Sequence, residues 1–184
     1  MCIRDRYRSG LKLKEAYKRI EELAELDELT GAFNRRCIMR MLDGEIARTS
    51  RSGSTCSIAL IDLDHFKQVN DSFGHPTGDE VLRTFSITMF ANIRSADHFG
   101  RYGGEEFLLV LPDMQRDDAG RAVDRLRAIV ADLDWSAFSP GMQVTLSAGV
   151  TTLRPNETAD LFLARADSAL YAAKAQGRNR IARA

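Results

Sequence analysis

SIALID at residues 57–62 and HFGRYGGEEFLLVL at residues 98–111 decide the fold of this chain. The first is a short apolar run, as expected of a strand buried on both faces. In the second, His98–Tyr102 and Glu105–Leu111 flank Gly103-Gly104, a two-residue glycine turn that predicts a β-hairpin. Asp62 stands at the exit of the buried strand, while Glu105 and Glu106 open the second hairpin arm. If these strands are neighbours, their carboxylates converge at one end of a sheet. Paired hard oxygen ligands there suit Mg2+, which keeps some of its water and shares substrate phosphates. The two glycines also let backbone come close to a bulky ligand. Taken alone, Gly-Gly-Glu-Glu reads more simply as a solvated hairpin end, because such residues are common in turns.

Helical and strand patterns surround this pair. Ile38, Met41, Leu42 and Ile46 predict a helix ending near the polar stretch 49–55. Leu82, Phe85, Met89 and Ile93 line one face of a second helix, starting near Gly78-Asp79. Ala119, Ala122, Leu126, Ile129 and Leu133 mark a third, and Val144, Leu146, Ala148 and Val150 alternate as a half-buried strand. Phe162, Ala166, Ala169 and Ala173 give the last long helix, stopped at Gly177. The sum is one α/β domain over residues 27–184, with residues 1–26 as a lead-in. Within the lead-in the first ten residues carry no periodicity, but Leu13, Ala16, Ile20 and Leu23 form an apolar seam of about two heptads. That seam predicts a dimerising signalling helix continuing from something upstream, against the alternative of a stub packed on its own domain.

Composition narrows the partners. Lys and Arg total 26 and so do Asp and Glu, so the formal net charge is zero. Such a chain has no bulk attraction to nucleic acid or anionic membrane, although a few residues can still build a local phosphate site. No apolar run is long enough to span a bilayer, and the N-terminus lacks the apolar core of a secretory signal. Three widely spaced cysteines, Cys2, Cys37 and Cys56, form neither a disulfide framework nor a zinc pattern. The expected location is cytoplasmic, with any membrane anchoring left to upstream segments.

The stretches IDLDHFKQVNDSFGHPTGDEVL (61–82) and RSADHFGRYGGEEF (94–107) together closely resemble the GGDEF family, the diguanylate cyclases. DELTGAFNRR (27–36), TLSAGV (145–150) and ADSALYAAKAQGRNR (166–180) agree with it, so the resemblance covers roughly residues 27–181. It implies a central, mostly antiparallel sheet flanked by helices, related to the nucleotidyl cyclase and polymerase palm. It also implies an enzyme that joins two GTP molecules into cyclic di-GMP, releasing two pyrophosphates. One GTP binds per subunit, so two subunits must face each other in a homodimer.

By the same resemblance, Asp62, Glu105 and the backbone carbonyl of Leu63 hold two Mg2+ (or Mn2+) ions per half-site. Glu105 is the candidate for taking the 3′-hydroxyl proton, with Glu106 as its supporting acid. Asp64 follows Asp62 by two residues, and simple alternation puts both on one strand face. The family pattern nevertheless assigns metal to the first aspartate. Lys67, Lys174 and Arg178 match phosphate-contacting residues, and Asn70 and Asp79 match those that read the guanine edge. An amide and a carboxylate suit guanine, which offers both an acceptor and donors there. His75 matches a nucleotide-site position, with a structural hydrogen bond as its alternative role. Arg94 and Asp97 form an RxxD ending five residues before Gly103, the spacing of the family's product-inhibition site. Arg125 is a candidate second contact there. Cyclic di-GMP is then both product and inhibitor, and the sensor that governs the enzyme lies upstream. Two other readings are a non-catalytic cyclic di-GMP receptor using Arg94 and Asp97, and a purely structural dimerisation module. The intact glycine–acid motif disfavours the first, and the matching nucleotide residues disfavour the second.

Overall fold

A computed structural model describes residues 25–184. The Leu13–Leu23 seam lies outside the described residues. The elements run α1 (Arg35–Ser52), β1 (Cys56–Leu63), α2 (Phe66–Phe73), α3 (His75–Asn92), β2 (His98–Arg101), β3 (Glu106–Pro112), α4 (Arg116–Ala131), β4 (Leu146–Thr152), α5 (Ala159–Ala175) and β5 (Ile181–Arg183). The five strands form one sheet in the order β2-β3-β1-β4-β5. Every pairing is antiparallel except β4 with β5.

All eight residues of β1 are buried because helices cover both faces of the sheet. On one face Ala59, Ile61 and Leu63 pack with Phe85, Phe99, Phe107 and the α3 and α4 side chains. The Phe85 and Phe107 rings meet edge-on, with centroids 4.9 Å apart. On the other face Ile58 and Leu60 pack with Ile38 and Leu42 of α1 and Phe162, Ala166 and Leu170 of α5. Burying each large apolar side chain contributes about 1.5–3 kcal/mol, so these two layers dominate the stability of the domain. Helix ends are closed locally: the Asn34 side chain accepts from Cys37 N at 2.9 Å, and Gly53 ends α1 at φ 68°.

Three local expectations are corrected. The helix expected from near Gly78, α3, begins instead at His75, because Gly74 at φ 84° ends the preceding turn and Pro76 suits a first helical turn. The fourth strand is buried on both faces rather than one: Ser147, Gly149 and Thr151 lie beneath α5. A Cβ at Gly149 would sit 1.9 Å from the Ala166 carbonyl oxygen, so only glycine lets this helix backbone approach. The hairpin loop spans 102–105 rather than two glycines, so Glu105 belongs to the turn and the arm starts at Glu106. The Glu106 carbonyl accepts from both Tyr102 N (2.8 Å) and Gly103 N (3.0 Å), which tightens that turn. Among the described residues, no helix is long and apolar enough to cross a membrane.

Candidate active site

The antiparallel register places Asp62 of β1 between Glu106 of β3 and Ser147 of β4. Directly paired residues of an antiparallel ladder share a face, so Asp62 and Glu106 are like charges held side by side. One step along, Leu63 N donates to the Glu105 carbonyl at 3.3 Å, which brings the turn carrying Glu105 to the end of β1. Asp62 and Glu106 are thus paired at the sheet end, the turn carrying Glu105 lies next to them, and Leu63 is buried between Asp62 and Asp64.

Asp62 is only 7% exposed. Burial pushes its carboxyl above the usual carboxylate range, and the neighbouring charges of Glu105 and Glu106 push the same way. Lys174, in the last turn of α5, opposes them through an ion pair with Nζ 2.8 Å from Asp62 Oδ2. The pull of the lysine does not outweigh desolvation, so the site favours additional positive charge. Among the described residues, no three His, Cys, Asp or Glu side chains converge as a ready-made cage. Mg2+ needs no such cage: it uses one or two carboxylates and completes its shell with water and substrate phosphate. Asp62 and Glu105 fit the role of holding such an ion, with the Lys174 ammonium standing in as the cation.

Lys67 is exposed in the first turn of α2. Arg178 follows α5 in the left-handed region at φ 61°, and among the described residues its guanidinium has no hydrogen bond or ion pair. Asn70 of α2 lies over α3: a Cβ at Gly78 would stand 1.9 Å from Asn70 Oδ1. The amide is thereby brought beside the helical turn that carries Asp79. His75 is exposed at the start of α3. Lys174, expected on phosphate, is instead engaged with Asp62.

Arg94 and Asp97 are brought together at the turn after α3. Arg94 N and Nη2 donate to the two oxygens of Asp97 at 2.9 and 2.8 Å, and Nη2 also reaches the Pro112 carbonyl at 3.2 Å. The Asp97 side chain is 4% exposed against 49% for Arg94, so the carboxylate orients the guanidinium and leaves one side open. Arg125 Nη2 donates to the Asn92 carbonyl at 2.8 Å, which places it near the same turn.

Arg101 escaped the sequence reading, and the partners of Asp64 did too. Arg101 donates from Nε and Nη2 to the Gly104 carbonyl at 3.0 and 2.7 Å, and from Nη1 to Asp27 at 3.1 and 3.2 Å. It thus ties the glycine turn to the 27–30 turn, where Asp27 also accepts from Thr30 N at 3.0 Å. The Asp64 carboxylate accepts from Thr145 Oγ1, Ser147 Oγ and Asn179 N at 2.7, 2.7 and 2.9 Å. Alternation correctly puts it on the face of Asp62, but three donors already occupy it. The hydroxyls at Thr145 and Ser147, spaced by two like the aspartates, were the available signal.

The comparisons with known proteins agree with this geometry. The family described as "Diguanylate cyclase, GGDEF domain" matches residues 24–180. The response regulator PleD of Caulobacter vibrioides is 42% identical over 163 residues, which is 87% of this chain and 36% of that protein. The chain thus spans about a third of this relative. Among solved structures, the GGDEF domain of DgcB from Caulobacter crescentus in complex with c-di-GMP superposes with a TM-score of 0.82 at 33% identity, over 87% of this chain and 95% of that one. The active GGEEF domain of a diguanylate cyclase from Vibrio cholerae gives 0.76 at 36% identity, over 82% and 96%.

Proposed function

This chain belongs to the GGDEF-domain diguanylate cyclase family, and from that premise we propose that it condenses two GTP molecules into cyclic di-GMP, releasing two pyrophosphates. One observation carries the proposal: carboxylates from two adjacent strands meet at a sheet end that a lysine from α5 faces. Bound Mg2+ or Mn2+ would supply charge neutralisation at the α-phosphate and leaving group and lower the pKa of the attacking hydroxyl. Asp62 and Glu105, with the Leu63 carbonyl, would hold these cations. Glu105 receives the 3′-hydroxyl proton and Glu106, fixed opposite Asp62, supports it. Lys67, Lys174 and Arg178 grip the triphosphate, and Asn70, Asp79 and His75 seat the guanine. The Vibrio domain described as active carries the same GGEEF motif, which supports catalysis rather than a receptor role.

A single subunit presents one half of a two-nucleotide reaction, so the working unit is a homodimer. The Leu13–Leu23 seam sets how the two halves meet, under control of an upstream sensor. Arg94 and Asp97 bind the product and restrain the enzyme. Fork-shaped arginine suits paired phosphate contacts and stacks on guanine.

The test is incubation of the purified chain with GTP and Mg2+, followed by separation of the nucleotides. Cyclic di-GMP should form, its formation should fall at least about 100-fold in Glu105→Gln, and Arg94→Ala should relieve inhibition by added product. Robust synthesis by Glu105→Gln would remove the role assigned to that residue. Failure of GTP to bind would remove the whole reading.

A further inference from the structure

The turn after α5 is held in a backbone form that side chains resist. Gly177, Arg178 and Asn179 follow one another at φ 116°, 61° and 44°, and only the first has glycine's freedom. Such a conformation persists where its surroundings over-determine it. Here Gly177 N and Arg178 N donate to the Lys174 and Ala173 carbonyls at 3.3 and 3.2 Å, and the Arg180 carbonyl accepts from Ala148 N at 3.0 Å. Asn179 between them is gripped twice. Its backbone N–H donates to Asp64 Oδ2 at 2.9 Å, and its side-chain oxygen accepts from Arg127 Nη1 at 2.9 Å.

Asp64 makes this grip from a place 5% exposed, with Ser147 Oγ and Thr145 Oγ1 fixing its two oxygens at 2.7 Å each. A fixed carboxylate is a strong acceptor for a backbone N–H. The residue it indirectly holds, Arg178, has a guanidinium without a protein partner among the described residues, just beyond Lys174. We propose that Asp64 is a positioning residue for polyphosphate recognition: by holding Asn179 it locks the 177–180 turn and aims Arg178 at the terminal phosphates of a nucleoside triphosphate. The proposal rests on the GTP reading of the acidic end. It makes Asp64 neither a metal ligand nor a catalytic residue, since three protein donors already hold both of its oxygens.

Asp64→Asn keeps the size of the side chain and weakens the acceptor. Binding of a non-hydrolysable GTP analogue should fall about tenfold, the loss of one charge-assisted contact, whereas GMP binding should stay within about twofold. Arg178→Ala should show the same pattern, and the double variant should lose no more than Arg178→Ala alone, because both act through one contact. The Mn2+ concentration for half-maximal activity should not move, and amide hydrogen exchange over residues 176–181 should quicken. Additive losses, equal losses on GMP and the analogue, or a shifted Mn2+ requirement would overturn the proposal. Arg127→Gln reaches the same turn from α4 and serves if Asp64→Asn does not fold; it should weaken the analogue and not GMP, and no change overturns the proposal. If the wild type binds none of these nucleotides, the GTP reading fails. Exchange over 176–181 then decides the lock by itself, and unchanged exchange in Asp64→Asn rejects it.

Discussion

Lys174 Nζ stands 2.8 Å from Asp62 Oδ2, so the last turn of α5 is tied to the end of β1 by an ion pair. The side chains are 31% and 10% exposed, which leaves the lysine free to rehydrate and the aspartate largely without water. The pair is therefore an unequal one. Removing water from a carboxylate costs several kcal/mol, and a single partly solvated ammonium does not fully compensate. A second cation has a place here because Asp62 remains underserved.

This asymmetry sets an expectation for pH and metal. The Asp62 carboxyl lies above its ordinary value of 3.8 in the folded chain, with burial as the main cause. The folded state thus binds this proton more tightly than the unfolded one, and metal-free stability falls as pH rises from 3.8 through the raised folded value. Asp62→Asn should abolish cyclic di-GMP synthesis yet leave the metal-free protein at pH 7 as stable or more so, by about 1 kcal/mol or roughly 3 °C. Added Mg2+ or Mn2+ should raise the melting temperature of the wild type and not of the variant. Calorimetry with and without the ion checks this, and equal metal responses would exclude Asp62 as a ligand.

Asp27 behaves in the opposite sense. Burial pushes its carboxyl up, but the Thr30 hydrogen bonds and Arg101 together outweigh it and hold the group below 3.8. A depressed folded value means that the stabilisation is fully present above 3.8 and is lost as pH falls through the folded value. Asp27→Asn should cost about 1–3 kcal/mol at pH 7. In urea unfolding, the gap between wild type and variant should stay constant at neutral pH and close in strong acid. A gap that persists in acid means the carboxylate charge is not its source. Since Arg101 carries the contact on to the Gly104 carbonyl, the variant should also speed hydrogen exchange across 102–106.

Gly78 separates stability from recognition. An added Cβ would stand 1.9 Å from Asn70 Oδ1, the movable end of a side chain, and 3.2 Å from Phe66 Cζ. Gly78→Ala should displace Asn70 while returning up to about 1 kcal/mol of helix propensity to α3. The melting temperature should hold within a few degrees while affinity for guanine nucleotides drops about tenfold, the equivalent of about 1.4 kcal/mol. Unchanged nucleotide affinity in a folded variant would take Asn70 out of the guanine seat.

Much of this protein is legible in its residue order. The apolar run at 57–62, the glycine hairpin and the helical stripes locate most elements, because solvent exclusion imposes periods of two and 3.6 on any buried chain. The five matching stretches identify the family, since residue type at fixed spacing carries that information without coordinates. Order alone leaves β4 half-buried, because alternation in one strand cannot report the later helix that brings Ala166 and Leu170 over Gly149. Alternation by itself also leaves Asp62 and Asp64 as equals, two acids on one face, and the family pattern favours the first without saying why. Only the tertiary structure gives the physical ground for parting them. Lys174 reaches the first, whereas Thr145, Ser147 and Asn179 converge on the second across sequence gaps of 81, 83 and 115 residues. What a carboxylate does depends on which donors and how much water surround it, and those are properties of the folded neighbourhood rather than of the residue.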